Sequence, residues 1–356
     1  MSMSQKNSIS KRVGKNNYFN REKSSERINS MNQLVSILIP VYNNEKYLGQ
    51  AIESAFNQTW PFKEIIVVND GSSDNSLSIA KSYEQFGIKV VNQFNKGAAA
   101  ARNLGLSQAS GKFIQYLDAD DILSANKIEI QVNALNGTKN KLAVCSTIHF
   151  PDDQAMIDFS LPVCENNTVN STDDPVDFII RMWGGYDFKV SMVQPNAWLT
   201  PKELIDNVGY WDEDLSLDDD GEFFARILLH SSGIVKTDGF NYYRKYPSFS
   251  QNLSSLKDQK AIDSAVKAMV LKTGYLFQKT QTDLAKKAIF RQLIELSLKC
   301  YPNFKESYII IEEELKKYPR YNYRPILGGK AINLLSKVLG WKAARKLQYF
   351  KSILND

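Results

Sequence analysis

A short apolar segment of the chain runs directly into a group of three carboxylates. Residues 113–117 predict a buried strand, and Asp118, Asp120 and Asp121 follow it. Ligands of α/β sheets bind at strand ends, and Mg²⁺ or Mn²⁺ prefers oxygen ligands that it often shares with a substrate phosphate. Because a turn here would let Asp118 and Asp120 converge on one ion, the spacing predicts a metal–diphosphate site for a nucleotide-activated substrate. The competing interpretation is a helix cap before Ile122.

A second acidic cluster, Asp218, Asp219 and Asp220, stands at the start of a helix predicted over residues 220–229. Acids at a helix N-terminus are stabilised by the helix dipole, and this is the structural interpretation of all three. The functional interpretation makes one of them a general base for an acceptor hydroxyl. A carboxylate at a helix N-terminus is expected to stay ionised at neutral pH, which would suit it to accept that proton.

Three earlier segments carry candidates for binding a nucleotide. Pro40–Asn43 follows the first predicted strand, and Tyr42 offers a ring that can stack on a base. Asp70 ends the second strand, where an acid can bond ribose hydroxyls. Gly97 opens an Ala-rich helix whose N-terminus favours anions, and Arg102 on that helix could reach a phosphate or a carboxylate. Each segment alone also fits an ordinary turn or helix cap.

The elements that must position these residues alternate between strand and helix. Strands are predicted over 35–40, 64–68, 88–91 and 113–117, with helices over 45–57, 75–86 and 97–109 between them. The strands are continuously apolar, which is typical of a parallel sheet covered by helices on both faces. The pattern then loosens into a strand over 142–148, a loop over 151–175, a helical or mixed segment from 178 and a short strand over 197–200. Amphipathic helices follow over 261–276, 283–298, 304–315 and 330–354, the last one basic on one side.

Composition favours a soluble α/β protein and argues against several kinds of site. Three scattered cysteines in 356 residues do not suggest a disulfide scaffold and fit a reducing cytoplasm. The sequence has only two histidines, and they are far apart, which argues against a zinc site or a Ser-His-Asp triad. No apolar run approaches the length of a membrane span, and the first residues do not resemble a signal peptide.

The net charge of +5 is accounted for by residues 1–30, which hold seven Lys/Arg and two Glu. We interpret residues 1–33 as a solvated, disordered basic tail. The alternative for such a tail is attraction to an anionic membrane or to nucleic acid. No nucleic-acid partner is predicted. We expect the protein in the cytoplasm, with a peripheral contact at the inner face of the membrane as the extension of that expectation.

Taken together, these segments resemble glycosyltransferase family 2, which has the GT-A fold. The resemblance rests on Ser36–Asn43, Ile66–Ser72, Gly97 with Ala101–Asn103, and Tyr116–Asp121, and it continues more thinly to about residue 250. Four family-type motifs in the family's order are far more specific than any one of them. The resemblance implies an α/β fold: a Rossmann-like, mostly parallel GT-A sheet flanked by helices, with a C-terminal helical extension. Residues 34–255 would form the glycosyltransferase domain and residues 256–356 the extension.

The resemblance also implies a role for each motif residue. Asp118 and Asp120 look like the D-x-D pair that holds the donor diphosphate through Mg²⁺ or Mn²⁺. Asp220 aligns with the family's presumed base. The family has a Glu directly before this base, and Asp219 stands in its place here. Which of Asp219 and Asp220 acts as the base therefore stays open. The remaining positions are similar to those that bind the donor: Pro40, Tyr42, Asn43, Asp70, Gly97 and Arg102.

The segment Tyr242–Ser250 resembles a late family segment that often carries a histidine after the arginine. Lys245 and Tyr246 stand in that region here. Arg244 or Lys245 could contact the leaving diphosphate, or the segment could be a structural loop over the site. A similar choice applies to the aromatic residues between 183 and 211, for which core packing is favoured over lining an acceptor site.

The reaction implied is an inverting transfer of a sugar from a nucleotide-diphosphate donor, by family analogy a UDP-sugar. The acceptor would be a hydroxyl of a glycan, a lipid-linked or another molecule, in the synthesis of surface polysaccharide, lipopolysaccharide or another glycan. Two other classes of protein are alternatives to a glycosyltransferase. A nucleotidyltransferase would need a Gly-rich basic loop before Asp118, and residues 35–43 contain no glycine. A non-catalytic, membrane-recruited module that binds nucleotide-sugars would rest on the basic tail and the segment 330–354.

Overall fold

The computed structural model describes residues 33–135, 138–152, 168–246 and 258–355, so the predicted basic tail lies outside it except for residue 33. The described strands are β1 (Val35–Val41), β2 (Lys63–Asp70), β3 (Lys89–Gln93), β4 (Phe113–Tyr116), β5 (Ile122–Leu123), β6 (Lys141–Pro151), β7 (Trp198–Pro201) and β8 (Gly233–Lys245). The helices that flank the sheet are α1 (Leu48–Phe56), α2 (Ser76–Ser82), α3 (Ala98–Ser107), α4 (Lys127–Ala134), α5 (Pro175–Met182), α6 (Lys202–Val208) and α7 (Asp219–His230). The C-terminal helices are α8 (Gln259–Lys279), α9 (Asp283–Cys300), α10 (Lys305–Leu315), α11 (Lys330–Leu339) and α12 (Trp341–Asn355).

The strands form one mixed sheet in the order β3-β2-β1-β4-β7-β6-β8-β5. Strands β3, β2, β1 and β4 are parallel, β7 is antiparallel to both of its neighbours, and β8 runs parallel to β6. This architecture confirms the predicted α/β class with a mostly parallel sheet and C-terminal helices. Because β1, β2 and β4 are parallel neighbours, their carboxyl ends share one edge of the sheet, which is where α/β sheets bind ligands.

Both faces of the sheet are covered, as the continuously apolar strands predict. Along β1, Val35, Ile37 and Ile39 pack into the core that includes α1 and α4. Leu38 points the other way, into the larger core shared with α3, α5, α7, α8 and α9. Successive strand residues point to opposite faces, so every second residue serves each core. Both faces of the sheet are therefore packed, and this packing fixes the strand ends from which the loops of the site begin.

Strand β8 is absent from the sequence-based prediction, and its pairing explains why. It pairs with β6 along its length, but the register shifts between Val144 and Ser146, where residues 237–239 of β8 stand opposite Cys145 alone. Such a bulge interrupts the side-chain alternation that identifies a strand. Asp238 and Gly239 within the bulge also lower its apparent strand propensity. Helix α6 was likewise not predicted, because residues 202–208 form only a short helix after a strand.

The prediction of one helix over 330–354 is wrong, because the structure has two helices that meet at Gly340. Gly340 has φ of +81° and follows the last residue of α11. This left-handed conformation suits glycine and ends a helix. The chain therefore turns back, and α12 lies against α11 as a helical hairpin.

The described part of the chain contains no helix that combines the length and the apolar character needed to cross a bilayer. Cys145 and Cys300 are buried free thiols, and Cys164 lies outside the described residues. Most of the loop predicted over 151–175 also lies outside them. Helix α8 packs along α7, so the first C-terminal helix lies directly behind the segment that carries the second acidic cluster.

Candidate active site

Arg102 on α3 joins the two acidic clusters. Its Nη2 donates to Asp118 Oδ1 and its Nη1 donates to Asp219 Oδ2, each at 3.0 Å. The guanidinium side chain is only 9% exposed. Burial alone would lower the pKa of Arg102, but the carboxylates of Asp118, Asp219 and Asp220 raise it above its ordinary value. The acids after β4 and the acids that begin α7 therefore lie around one buried cation.

An aromatic platform supports this cation. The Arg102 guanidinium lies over the Trp211 ring, with Cζ 4.4 Å from the ring centroid. Asn103 fixes the Trp211 backbone, since its Nδ2 donates to Trp211 O at 3.0 Å and its Oδ1 accepts from Trp211 N at 2.9 Å. The indole stacks on Phe223 of α7, with centroids 4.2 Å apart. Cation–π contact and packing thus orient Arg102 toward both clusters.

The aromatic residues between 183 and 211 divide into buried and exposed side chains. Trp183, Trp198 and Trp211 are buried, in agreement with the favoured core interpretation. Tyr186 and Tyr210 are exposed by 41% and 45%, so the core interpretation does not hold for these two rings.

The turn after β4 is held by two residues from distant segments. Asn196 Oδ1 accepts from Asp118 N at 2.9 Å, and Asn196 Nδ2 donates to Asp121 Oδ2. Arg244 N donates to Asp121 Oδ1, and Arg244 Nε donates to Asp120 O, both at 2.9 Å. Asp121 is fully buried, and both of its oxygens are used within the protein. It therefore fixes the turn, while Asp118 and Asp120 stay partly exposed.

Asp120 lies close to both acidic neighbours and a tyrosine. Burial and then the charge of Asp118 raise the pKa of Asp120. Tyr246 Oη donates to Asp120 Oδ2 at 2.6 Å and acts in the opposite direction. Burial, followed by the charges of both acidic clusters, raises the pKa of Tyr243. Tyr243 therefore lies within the electrostatic reach of the two clusters, which mark out one site.

The residues present fit a divalent ion that is shared with a ligand. Among the described residues, no group of three or more His, Cys, Asp or Glu side chains could hold a metal ion. Asp118 and Asp120 repel each other, as the raised pKa of Asp120 shows, and a cation between them would relieve that repulsion. Mg²⁺ is commonly bound through one or two carboxylates, with the other ligands supplied by substrate phosphates and water. The donor set fits that mode rather than an all-protein metal site.

Asp220 has an environment different from the one expected of a helix N-terminus. Burial and then the charges of Asp219 and Asp218 raise the pKa of Asp220 to about 7. Arg102 and the backbone N–H of Gly221, which donates to Asp220 Oδ1 at 2.8 Å, act against this rise. The expectation that Asp220 is fully ionised at neutral pH is therefore wrong, because burial and like charge outweigh the helix dipole. A carboxylate with a pKa near 7 is suited to exchange a proton at physiological pH.

Helix α8 holds the segment that leads into this pair. Ser264 Oγ accepts from Ser216 N at 2.8 Å and from Leu217 N at 3.0 Å, and donates to Leu217 O at 2.9 Å. Lys272 Nζ forms an ion pair with Asp218. Asp218 needs such support because it has φ of +63°, a left-handed conformation that is uncommon outside glycine. The second acidic cluster is thus positioned by the C-terminal helices.

The loop after β1 is fastened to the loop after β2. Asn43, at φ of +48°, accepts from Ser73 N at 2.8 Å through Oδ1, and its own N donates to Ser72 Oγ at 3.0 Å. Asn43 therefore braces the two loops in this structure. Pro40 lies at the end of β1, and Tyr42 is 51% exposed beside it. The nucleoside contacts assigned to Pro40, Tyr42 and Asn43 stay predictions.

Asp70 likewise makes internal contacts at the site. Its Oδ1 accepts from Gln93 Nε2 at 2.7 Å and from Lys96 N at 2.8 Å, and its Oδ2 accepts from Gly97 N at 2.9 Å. These bonds tie the end of β2 to the start of α3, where Gly97 has φ of +94°. Asp70 and Gly97 therefore shape the loop at which an anion is expected, and their contact with a donor stays a prediction.

The structure separates the two alternatives for Arg244 and Lys245. The Arg244 side chain is 2% exposed, its Nη2 donates to Gln50 Oε1 at 2.7 Å, and its Cζ lies 4.2 Å from the Tyr47 centroid. Arg244 therefore acts as a structural residue behind the turn of Asp118 and Asp120. Lys245 Nζ lies 4.3 Å from the Tyr243 centroid. Residues 247–250 of this segment are outside the described part of the chain.

Sequence reasoning missed several residues that build the site, chiefly Asn196, Ser264 and Lys272. Asn196 stands in Gln194–Ala197 with no local motif around it, and the two helix residues lie in an amphipathic pattern that predicts only packing. Their roles come from contacts across long sequence separations. No short-range pattern could have revealed them.

Comparison with known proteins places the chain in a family. The family model "Glycosyl transferase family 2" matches residues 36–190. Glycosyltransferase GlyG of Streptococcus pneumoniae is 30% identical over 219 residues, which are 60% of this chain and 72% of that protein. An uncharacterized glycosyltransferase of Rickettsia prowazekii is 34% identical over 206 residues, and the match spans 57% of this chain and 61% of the relative. The chain belongs to glycosyltransferase family 2, as its motifs predict.

Solved structures show the same fold. The crystal structure of S. aureus TarS 1-349 in complex with UDP-GlcNAc aligns with a TM-score of 0.55 at 18% identity. The alignment covers 84% of this chain and 95% of that one. At this identity the likeness concerns architecture, and it confirms the GT-A fold.

Proposed function

We propose that this protein transfers a sugar from a nucleoside-diphosphate donor to a hydroxyl group of an acceptor, with inversion at the anomeric carbon. The observation that carries the proposal is the bridge from Asp118 through Arg102 to Asp219. It brings a strand-end carboxylate pair suited to a diphosphate next to an acid with a pKa suited to a base. Membership of glycosyltransferase family 2 supports the same reaction class.

In the proposed reaction, the acceptor hydroxyl attacks the anomeric carbon from the face opposite the nucleotide. Asp220 takes the hydroxyl proton, and its pKa of about 7 lets it be deprotonated in a large fraction of molecules at neutral pH. Arg102 holds Asp219 at 3.0 Å, so this neighbour is oriented as the partner of the buried cation rather than as a second base. Asp220 is positioned at the start of α7, where Gly221 N donates to its Oδ1 at 2.8 Å.

Asp118 and Asp120 would hold Mg²⁺ or Mn²⁺ together with the donor diphosphate. Such an ion supplies Lewis-acid stabilisation of the negative charge that grows on the leaving diphosphate. Tyr246, which donates to Asp120 at 2.6 Å, would orient that carboxylate for the task. For the donor we propose a UDP-sugar, which the family resemblance favours and which agrees with the UDP-GlcNAc bound by TarS.

The acceptor is proposed to be a glycan or a lipid-linked sugar, in the synthesis of a surface polysaccharide, lipopolysaccharide or another glycan. Tyr186 and Tyr210 are the exposed aromatic rings of the 183–211 region that could stack on an acceptor sugar. A cytoplasmic location remains part of this proposal.

The test is a panel of nucleotide-sugars incubated with the full-length protein and Mn²⁺ in the absence of an acceptor. Hydrolysis of one UDP-sugar above the others is expected, and Asp220→Asn should lower it by roughly 10² to 10⁴ while nucleotide binding in Mn²⁺ survives. The matched control is Asp173→Asn, which changes an 82%-exposed acid elsewhere and should keep turnover. Nucleotide binding without hydrolysis of any donor would instead favour the binding module, and unchanged hydrolysis in Asp220→Asn would refute the assigned base.

A further inference from the structure

The C-terminal end of the chain is strongly basic. Residues 316–355 contain ten Lys/Arg and no Asp or Glu. Lys316, Lys317 and Lys342 pair with the glutamates of residues 312–314 at the end of α10. The rest of the segment keeps a large positive charge, since its own sequence supplies no acid to balance it. This charge is separate from that of residues 1–30.

The same segment exposes apolar side chains on two consecutive helices. The exposed fractions are 64% for Leu334, 75% for Val338 and 56% for Leu339 on α11, and 50% each for Leu347 and Phe350 on α12. Small residues face inward instead, with Ser336 and Ala344 buried. The hairpin therefore buries Ser336 and Ala344 while five of its large apolar side chains face solvent, which is unlike an ordinary surface helix.

Lysines lie directly beside these apolar residues. Lys337 precedes Val338 on α11, while Lys346 and Lys351 flank Leu347 and Phe350 on α12, and all three lysines are exposed. Lys346 Nζ lies 6.0 Å from the Phe350 centroid. Helices with exposed large apolar residues and adjacent Lys are typical of segments that lie in the interface of a lipid bilayer.

We propose that α11 and α12 dock the protein onto an anionic lipid bilayer. The docking surface consists of Leu334, Val338, Leu339, Leu347 and Phe350 with Lys337, Lys346 and Lys351. The apolar side chains would enter the headgroup region, and the lysines would contact anionic headgroups. Lipid docking goes beyond the proposed sugar transfer and does not depend on it.

Charge argues for a bilayer over other occupants. A second copy of the same surface would bring like charges together, because residues 316–355 contain no acid. A nucleic acid would be held by the lysines but would leave the five exposed apolar side chains in contact with water. An anionic bilayer satisfies both the charges and the apolar side chains. If the proposed transfer is correct, docking would also bring the active site close to lipid-linked acceptors.

The experiment is co-sedimentation of the full-length protein with vesicles made of one part phosphatidylglycerol to two parts phosphatidylcholine, and with phosphatidylcholine alone. We expect binding to the anionic vesicles and much weaker binding to the neutral ones. K337Q/K346Q/K351Q should weaken anionic binding roughly tenfold or more, as expected for the loss of three surface lysines. L334Q/V338Q/F350Q should weaken it by a similar factor, since these side chains would no longer insert.

Matched controls separate this surface from general charge. K81Q/K89Q/K112Q removes the same number of exposed lysines from the GT-A region and should bind as the wild type does. Substituting Lys6, Lys11 and Arg12 by Gln tests the N-terminal tail. Binding that follows the tail variant and ignores the α11–α12 variants overturns the proposal. So does indifference to anionic lipid, or concentration-dependent dimerisation that the apolar variant abolishes.

Donor hydrolysis is measured on the same variants in solution. The docking-surface variants should keep wild-type hydrolysis, which also shows that they are folded. Lost vesicle binding with intact hydrolysis therefore concerns docking alone, whereas vesicle binding without any hydrolysis would count against the proposed transfer and leave docking supported.

Discussion

Lys272 of α8 forms an ion pair with Asp218, the residue that precedes the Asp219–Asp220 pair. Their separation in sequence is large, and no motif contains Lys272. The ammonium group neutralises one of the two neighbouring acids whose charges raise the pKa of Asp220. The C-terminal helices therefore influence the proposed base as well as packing behind it.

The first prediction concerns this ion pair. In Lys272→Gln the charge of Asp218 is no longer balanced, so the pKa of Asp220 should rise further and the acid limb of the kcat–pH profile should move to higher pH. A shift of about half a pH unit would lower kcat about threefold on the acid side of the limb and leave it unchanged well above the limb. The measurement is kcat for donor hydrolysis between pH 5.5 and 9.

Two variants control this result. Lys272→Arg keeps the positive charge and should restore the wild-type profile. Lys267→Gln removes a 43%-exposed lysine of the same helix that pairs with Asp212 and should leave the limb in place. A uniform drop in kcat at every pH, without movement of the limb, would mean that Lys272 matters only for folding.

The second prediction links Asp220 to stability. Its pKa in the folded protein, about 7, lies above the ordinary value of 3.8. The folded state therefore binds the proton more tightly than the unfolded state, so the contribution of Asp220 is most favourable below pH 3.8 and is lost as the pH rises through 7. Asp220→Asn removes this loss, so its Tm relative to the wild type should increase from pH 5.5 to pH 8.5, while turnover falls by roughly 10² to 10⁴. A Tm difference that is the same at both pH values would contradict the assigned environment.

The third prediction separates Asp120 from its neighbour Asp121. Asp120→Ala should weaken nucleotide binding in Mn²⁺ but change binding without the ion only slightly, since Asp120 is proposed to act through the ion. Asp121→Asn should instead lower the free energy of unfolding, by roughly 1–3 kcal/mol, because buried Asp121 accepts hydrogen bonds from Asn196 and Arg244. Calorimetric nucleotide titrations with and without Mn²⁺, and urea unfolding of both variants, measure the two effects. Equal Mn²⁺-dependent affinity in the wild type and Asp120→Ala would remove Asp120 from the metal site.

The sequence could predict the half of the fold that is built locally. β1 to β4 and their helices follow from apolar runs and caps that lie within a few residues of each other. Asp118 can be identified because it directly follows a strand, and Arg102 because it lies on the Ala-rich helix that Gly97 opens. The predicted fold class and family are confirmed, while the assigned donor contacts stay predictions.

The rest depends on contacts that the chain makes at a distance. The bulge in β8 hides a strand whose partner β6 lies far away in sequence. Asn196 fixes the turn after β4 from another loop. The pKa of Asp220 depends on its burial and on the charges of Asp219 and Asp218, and Asp218 is paired with Lys272 of α8. The helix-dipole argument fails for Asp220 because it considers one helix alone.

The last prediction uses the tight approach of two loops at the donor side. Gly71, directly after Asp70, has φ of +71°, and a Cβ there would lie 2.6 Å from Asn95 N. Gly71→Ala therefore combines backbone strain with a backbone clash, and the two loops must separate. We expect a loss of about 1–3 kcal/mol in the free energy of unfolding and weaker UDP binding. Gly87→Ala is the matched control, since Gly87 has φ of +82° with no atom within 4 Å of its Cβ position. It should show the strain alone and normal UDP binding. Urea unfolding and UDP titration are measured on both variants. Equal UDP affinity in the two would show that the loops joined by the Asp70–Gly97 hydrogen bond do not contribute to the donor site.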